Sequence, residues 1–543
     1  MMKIDELYHN YNKEEFYLGR VSQVTLDYCL VQAENLTLLQ TKIISNQEIF
    51  PKTINYLVVI NDERGIFLGK VIKSQIRNTT ATHDALLYDD RQHICPELTI
   101  KIVGLLQKNQ FRLPNNNTVG LTNKVYIATS EITKLYLDSF DLIYRNYSHD
   151  NILDDVAIVK SFGTQLQFST NINTIFDRHL LIVGATNSGK STSALRILEE
   201  ARRKNKKFIL IDPTGEYHQS FSKCENVESI DLGNSGTIDP GKIKLNQWKT
   251  LFQTNENSQG PELMQAINEL KFQYKHGKNK IYPKLGRKFT DVEMELNAFE
   301  IENDLDNLSF NQQLLESQII ADSVKLANYG KNEGKYINDS FIRNTNEWLI
   351  QKIKYIRRTT KIDIFFNNDP NKNLFQSLDE FLENNKSLYV DISTLGSSDI
   401  IGSFIIDIIS EYLFETKTVE NKGFFIYIDE AHRYLRGNDT LAMGLENIAR
   451  EGRKKGIFLF LTSQSPKDVP DTIVSQIGSV IVHRLTSEED IYTLRNYLSK
   501  DAIAKINSLN KGEAVLSSIN LLENLFLKFN KSTLPHSNNT QLL

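Results

Sequence analysis

One stretch constrains this chain more than any other: residues 179–192, HLLIVGATNSGKST. An apolar run, Leu180 to Val183, leads straight into Gly184-Ala185-Thr186-Asn187-Ser188-Gly189-Lys190-Ser191, which satisfies G-x-x-x-x-G-K-[ST], the phosphate-cradling loop. The spacing has a physical reason. Two glycines let the backbone bend until its N–H groups converge on phosphate oxygens, Lys190 sets a cation on the β and γ phosphates, and the Ser191 hydroxyl is a ligand for Mg²⁺. Beyond it, Ala194, Leu195 and Leu198 recur at helical spacing, so Ser191 and Thr192 open a helix whose positive end faces the same anion. Strand, loop and helix in that order predict a parallel α/β sheet binding a nucleoside triphosphate with Mg²⁺ through Gly184–Thr192.

At 543 residues the chain exceeds one typical domain. A net charge of −4 argues against coating nucleic acid by bulk charge, while leaving room for a local basic groove or the lumen of a ring. Three cysteines, Cys29, Cys95 and Cys224, without a C-x-x-C pair exclude a disulfide framework and a cysteine zinc site and fit the cytoplasm. The polar start MMKIDELYHNYNKEEF carries no signal peptide, and no run of about 18 apolar residues occurs, so no membrane span is expected.

Texture divides the chain. Residues 1–150 hold short alternating runs rich in β-branched and aromatic residues, broken by Asn, Gly, Pro and Asp, and predict a small β-barrel or sandwich. Residues 151–254 and 386–520 carry the α/β pattern. Between them, 255–385 shows apolar residues at helical spacing and predicts a helical insertion. Two basic clusters lie there, 275–288 and 352–361, readable as solvated helix faces or as nucleic-acid contacts. Residues 521–543 are expected to be a polar tail.

A second stretch gives the chemistry. In GFFIYIDEAHRYL (423–435) an apolar strand ends in Asp429-Glu430. Asp429 suits a Mg²⁺ held through its waters, and Glu430 suits the base that orients or deprotonates the water attacking the γ-phosphate. In IAREGRKKG (448–456) an arginine can serve as a finger supplied to a neighbouring subunit's site. The next strand delivers Gln464, which can bond both γ-phosphate and attacking water and so sense nucleotide state. Arg484 is a second candidate for a trans contact, and Asp212 and Glu216 stand after a strand end where ligands bind.

GATNSGKST, KKFILIDPTGEY, FFIYIDEAHRYL, IAREGRKKGIFLFLTSQSP and a strand ending HRL together resemble the HerA branch of the FtsK–HerA superfamily, over about residues 170–520. The barrel-like first 150 residues also suit it. The resemblance implies a RecA-like P-loop ATPase core, with Lys190 and Ser191 in the phosphate and Mg²⁺ roles, Glu430 catalytic, Gln464 the sensor and Arg453 the finger. It further implies a hexameric ring with ATP sites at subunit interfaces, double-stranded DNA through the pore, and a separate nuclease or sirtuin-like NADase effector, in DNA end processing or anti-phage defence. One position departs from the family: Asn187 stands where glycine is usual. An ATP-gated scaffold that activates an effector is the alternative to a DNA translocase or helicase. A conjugation-type coupling ATPase is disfavoured because those usually carry membrane helices.

Overall fold

The computed structural model describes residues 3–536, apart from 27, 41, 45–46, 50–53, 78, 116, 143–148, 164–165, 367–372, 396–398 and 436–442. The last residues of the expected tail, 537–543, therefore lie outside the described residues. The chain forms two compact units. One comprises 1–177, 184–200 and 478–531, the other 178–183, 201–477 and 532–543.

In chain order the first unit opens with β1 (Tyr17–Val24), β2 (Cys29–Ala33), a hairpin of β3 (Lys42–Ile44) and β4 (Gln47–Ile49), β5 (Leu57–Asp62), β6 (Gly65–Gln75), β7 (Glu97–Gln107), β8 (Gln110–Arg112) and β9 (Lys124–Ile127). Strands run in the order β2-β1-β9-β5-β6-β7, and β2 pairs back onto β7, closing a six-stranded antiparallel barrel with β8 added beside β7. Closure removes the open edges that a sheet otherwise exposes. Alternation does the rest: in β2 Cys29, Val31 and Ala33 are buried, while Leu30 and Gln32 between them are half-buried. The same unit contains β10 (Ile152–Val159) and β11 (Gln167–Asn171).

The second unit is built on a parallel sheet. It takes β12 (His179–Val183), β13 (Lys207–Asp212), β14 (Val227–Asp231), the insertion hairpin β15 (Val324–Leu326) and β16 (Tyr336–Asn338), then β17 (Ser387–Asp391), β18 (Phe424–Ile428) and β19 (Ile457–Ser463). The six sheet strands run β12-β19-β18-β13-β17-β14, each pair parallel. Every residue of β12, β13, β17 and β18 is buried, which is why these strands read as continuous apolar runs rather than alternating ones. The helix Asp399–Thr416, apolar on most of its faces, is buried along much of its length. Between β14 and β17 lie the helices Gln259–Lys275, Phe289–Glu302, Leu315–Ala321, Ser340–Thr360 and Leu374–Glu383.

The chain ends with β20 (Ile477–Val482), β21 (Glu513–Ser518) and β22 (Leu525–Phe529). These pair antiparallel with one another and with β10 in the order β11-β10-β22-β21-β20. Residues 525–529, expected in a polar tail, thus form a strand: Leu525, Leu527 and Phe529 alternate inward at period two, a signal too short to stand out beside the polar residues that follow.

Candidate nucleotide site

The register of the parallel sheet brings the sequence-predicted strand ends level. Val183 lies opposite Ser463, Leu461 opposite Ile428, Ile428 opposite Ile211, and Asp212 opposite Asp391. The next residues of the chain are Gly184, Gln464, Asp429-Glu430 and Pro213, so one edge of one sheet issues the phosphate loop, Gln464, the Asp429-Glu430 pair and the loop after Asp212. That carboxyl edge is where α/β sheets bind ligands. His179 pins β12 in place: its Nδ1 accepts from the Leu459 amide at 2.9 Å, which leaves Nε2 to donate to the Ala449 carbonyl at 2.9 Å.

Asp429 is buried, and each of its oxygens has a partner. Oδ1 accepts from the Thr462 hydroxyl and from the Glu430 amide at 3.0 Å, and Oδ2 accepts from the Tyr217 hydroxyl at 3.1 Å. Burial raises its pKa, and the nearby charges of Glu430 and Asp212 push it the same way. Glu430 sits in the left-handed region at φ 46°, a strained place for a non-glycine residue. Its amide also donates to Thr462 Oγ1 at 2.9 Å, which holds the strained turn. The Glu430 side chain meets Gln464: Nε2 of the amide is 3.5 Å from Oε1. His432 Nδ1 lies 3.1 Å from Oε2, close enough for electrostatic attraction but out of line for a hydrogen bond.

The loop after β13 supports this cluster from below. Asp212 is wholly buried, and its oxygens accept from the amides of Thr214, Gly215 and Tyr217 and from the hydroxyls of Thr214 and Tyr389. Asp212 therefore shapes the loop rather than facing a ligand. Tyr217, also buried, shares a 2.7 Å hydrogen bond with the Tyr427 hydroxyl on its way to Asp429. Tyr217 was the functional signal missed in the sequence; the Tyr closing Asp-Pro-Thr-Gly-Glu-Tyr was its trace.

The phosphate loop is organised from within its own unit. The helix it opens runs Lys190–Arg203. Lys190 is buried, and its ammonium donates to the carbonyl of Gly184 at 3.0 Å. Ser188 Oγ is buried without a hydrogen-bond partner among the described residues. Asn187 has φ 62°, so the departure from glycine falls on the residue type that best tolerates this region after glycine. Gly189 has φ 118°, and a Cβ there would come within 2.9 Å of the Gly512 backbone. The turn 510–513 is wedged against the loop: the Gly512 amide donates to the Ser188 carbonyl at 2.8 Å, and Lys511 Nζ donates to Asn187 Oδ1 at 2.5 Å. His483 packs beneath, its Nδ1 donating to the Glu513 carbonyl at 2.9 Å and its Nε2 accepting from Ser193 at 2.8 Å. Lys511 and His483 lie hundreds of residues from the loop, and no spacing rule in the sequence links them to it.

Other candidates stand apart. Arg453 is exposed in the last turn of the helix Met443–Lys455. The Arg484 side chain is exposed while its carbonyl accepts from the Ala185 amide at 2.9 Å. Glu216 lies 3.6 Å from His536. Part of the two basic clusters is consumed internally: Lys284 is buried with Glu269 and Asp322, Arg287 pairs with Glu295, and Arg357 pairs with Glu316 and Asp363. Those side chains are not a nucleic-acid surface.

Each unit carries groups that suit one part of a Mg²⁺–polyphosphate. Asp429 and Glu430 are hard oxygen ligands with a third carboxylate, Asp212, adding like charge, and a divalent cation relieves that repulsion. The orphaned Ser188 hydroxyl and the buried Lys190 ammonium are groups that an anion would satisfy. Among the described residues no helix is long and apolar enough to cross a membrane.

Comparison with known proteins agrees with this geometry. Residues 160–411 match the helicase HerA central domain and residues 397–522 the helicase HerA-like C-terminal domain. The DNA double-strand break repair helicase HerA of Sulfolobus acidocaldarius is 25% identical over 67% of this chain and 66% of its own length. The probable DNA double-strand break repair helicase HerA of Methanocaldococcus jannaschii is 24% identical over 77% of this chain and 82% of its own. Among solved structures, VirB4 of Thermoanaerobacter pseudethanolicus aligns with a TM-score of 0.46 at 13% identity over 65% of this chain and 90% of that one. The bacterial conjugative coupling protein TrwB aligns with a TM-score of 0.44 at 14% identity, over 67% and 88%. With two HerA domains matched in succession across 160–522, on a RecA-like sheet whose carboxyl edge issues the phosphate loop, the Asp429-Glu430 pair and Gln464, the chain belongs to the HerA helicase family of P-loop ATPases and is an ATP hydrolase of that type.

Proposed function

We propose that this protein hydrolyses ATP to drive itself along double-stranded DNA as a homo-oligomeric ring, hexameric and cytoplasmic, and that a separate nuclease or sirtuin-like NADase works with it in DNA processing or anti-phage defence. The observation that carries the hydrolytic half is the Asp429–Glu430–Gln464 cluster on the sheet edge from which the phosphate loop departs. The DNA half rests on kinship with relatives named as DNA double-strand break repair helicases.

In this reading the amides of 184–192 and the Lys190 ammonium hold the triphosphate, and the Lys511 ammonium adds a second cation at the loop's tip. Mg²⁺, held by Ser191 and Asp429, would draw charge from the phosphate oxygens. Glu430 takes the proton of the attacking water, and Gln464, already within reach of its carboxylate, orients that water. Tyr217 and Thr462 keep the Asp429 carboxylate from rotating. Arg453, exposed on its helix, is the group offered to the neighbour's γ-phosphate. The barrel of 1–150, the core of 151–254 with 386–520 and the insertion of 255–385 serve as separate working parts.

ATP turnover with and without duplex DNA, on material whose sedimentation is measured in parallel, tests this. Duplex DNA should raise turnover several-fold in an assembled species. Turnover indifferent to DNA, with an effector enzyme switched on instead, would replace the translocase by an ATP-gated scaffold.

A further inference from the structure

The helix Ser340–Thr360 is the longest among the described residues, and it is apolar on both sides. Asn346, Leu349, Ile350, Ile353 and Ile356 are buried and account for its inward face. Phe341, Trp348 and Tyr355 then stand bare at 78, 73 and 69% exposure. They are seven residues apart, so they drift only about 20° per step and form one line with about 10.5 Å between rings. Arg358 flanks that line one turn beyond Tyr355, Lys354 and Arg343 lie farther round the solvent side of the helix, and the three have no acidic partner among the described residues.

The helix Phe289–Glu302 is its counterpart. Val292 and Phe299 are buried. On the opposite side Met294 and Ile301 are 65 and 86% exposed, again seven residues apart, with exposed Ala298 between them. The helix carries Asp291, Glu293, Glu295, Glu300 and Glu302 and no basic residue.

We infer that the aromatic face of Ser340–Thr360 on one copy of this chain docks on the acidic Met294–Ile301 face of a second copy. The two apolar lines share a period and hence a pitch, so their side chains interdigitate as a heptad seam does. The flanking charges are opposite, which steers the encounter and fixes its direction. Aromatic anchors rimmed by arginine are also the composition of protein interfaces. Three rings of this size can bury on the order of 450–750 Å², close to the roughly 800 Å² that one partner contributes to a standard interface. Duplex DNA fits the face less well, because phosphates offer nothing to three bare rings and Glu347 adds a negative charge on the flank that carries Lys354 and Arg358. Two different patches meet, so the contact is head-to-tail and propagates into a ring or filament. It rests on the ring proposed above only for its closure.

Cysteine cross-linking of the full chain tests it, in a Cys95→Ser background because Cys95 is exposed. Mixing Trp348→Cys with Met294→Cys should give a disulfide-linked dimer that neither forms alone, and the double variant should give a ladder. Arg343→Glu/Lys354→Glu/Arg358→Glu should weaken association about tenfold or more by sedimentation, and mixing with Asp291→Lys/Glu293→Lys/Glu302→Lys should restore it. Absence of the cross-link, with sedimentation unchanged in Trp348→Ala/Tyr355→Ala, would overturn the contact while an assembled wild type kept the ring. A wild type that stays monomeric with ATP and DNA would remove both. Loss of duplex binding with unchanged sedimentation would assign the face to nucleic acid and overturn the proposal.

Discussion

Lys511 Nζ lies 2.5 Å from Oδ1 of Asn187, so a residue from the far end of the chain places its charge at the tip of the phosphate loop. The ammonium is solvent-exposed, and its attraction for a triphosphate is screened. Lys511→Ala should therefore raise KM for ATP roughly threefold to tenfold with a smaller change in kcat, the pattern of lost uniform binding. Unchanged KM at low ionic strength would show that Lys511 only buttresses the loop.

Asn187 occupies φ 62°. Asn187→Gly keeps that conformation available and should leave ATP affinity within about twofold. Asn187→Val forces a β-branched residue into the same region, at a cost of about 1–2 kcal/mol, and should weaken nucleotide binding about tenfold. Equal affinities for the two variants, by fluorescent-nucleotide titration, would mean the loop changes conformation when it binds.

The legibility of this site in the sequence divides by the range of the interaction. The phosphate loop and the Asp429-Glu430 pair were readable because strand-end motifs are local: an apolar run stops and the chemistry follows at once. Gln464 was readable for the same reason, because it follows at once on the apolar strand that starts at Ile457. Lys511, His483 and Tyr217 were not, because each acts through a contact that only folding creates, with no periodicity to betray it. The resemblance to HerA was specific enough to carry the core, whereas β22 was lost to composition: five residues of alternating pattern sit beside a polar stretch. The basic clusters stayed open between two readings for a related reason, since charge in a sequence does not say whether its partner is water or, as for Lys284, a buried carboxylate such as Glu269.

Glu430→Gln removes the base and keeps the shape. It should bind ATP near wild-type affinity and turn it over at least about a hundredfold more slowly, whereas Lys190→Ala should lose binding as well. Arg453→Ala should also stop hydrolysis if the finger acts in trans. Mixing it with Glu430→Gln then creates interfaces that carry both intact groups, so activity should reappear in the mixture. A mixture as inactive as its components would remove the trans role of Arg453.

Tyr217→Phe deletes one hydroxyl that reaches both Tyr427 and Asp429. A lost hydrogen bond to a carboxylate is worth about 1.5 kcal/mol, and its effect should fall on the ion that Asp429 serves. The Mg²⁺ concentration giving half-maximal turnover should rise roughly tenfold, with KM for ATP at saturating Mg²⁺ little moved. A purely structural role would instead lower Tm and leave the Mg²⁺ dependence where it was.

His483 carries the pH dependence. Burial pushes its imidazole down to about 4, and the Lys190 charge acts in the same direction. The folded state therefore binds fewer protons than the unfolded chain between about pH 4 and the ordinary histidine value near 6.5. Its contribution is complete above pH 6.5 and is lost as pH falls through that window, by about 2 kcal/mol at pH 5 and about 3 kcal/mol below pH 4. Protonation also costs the bond in which Nε2 accepts from Ser193, on the helix that the phosphate loop opens. His483→Gln cannot take up the proton. Between pH 7.5 and 5 the wild type should lose several degrees more in Tm than this variant, and ATP affinity should fall over the same range only in the wild type. Parallel Tm curves for the two proteins would show that His483 does not titrate beneath the loop.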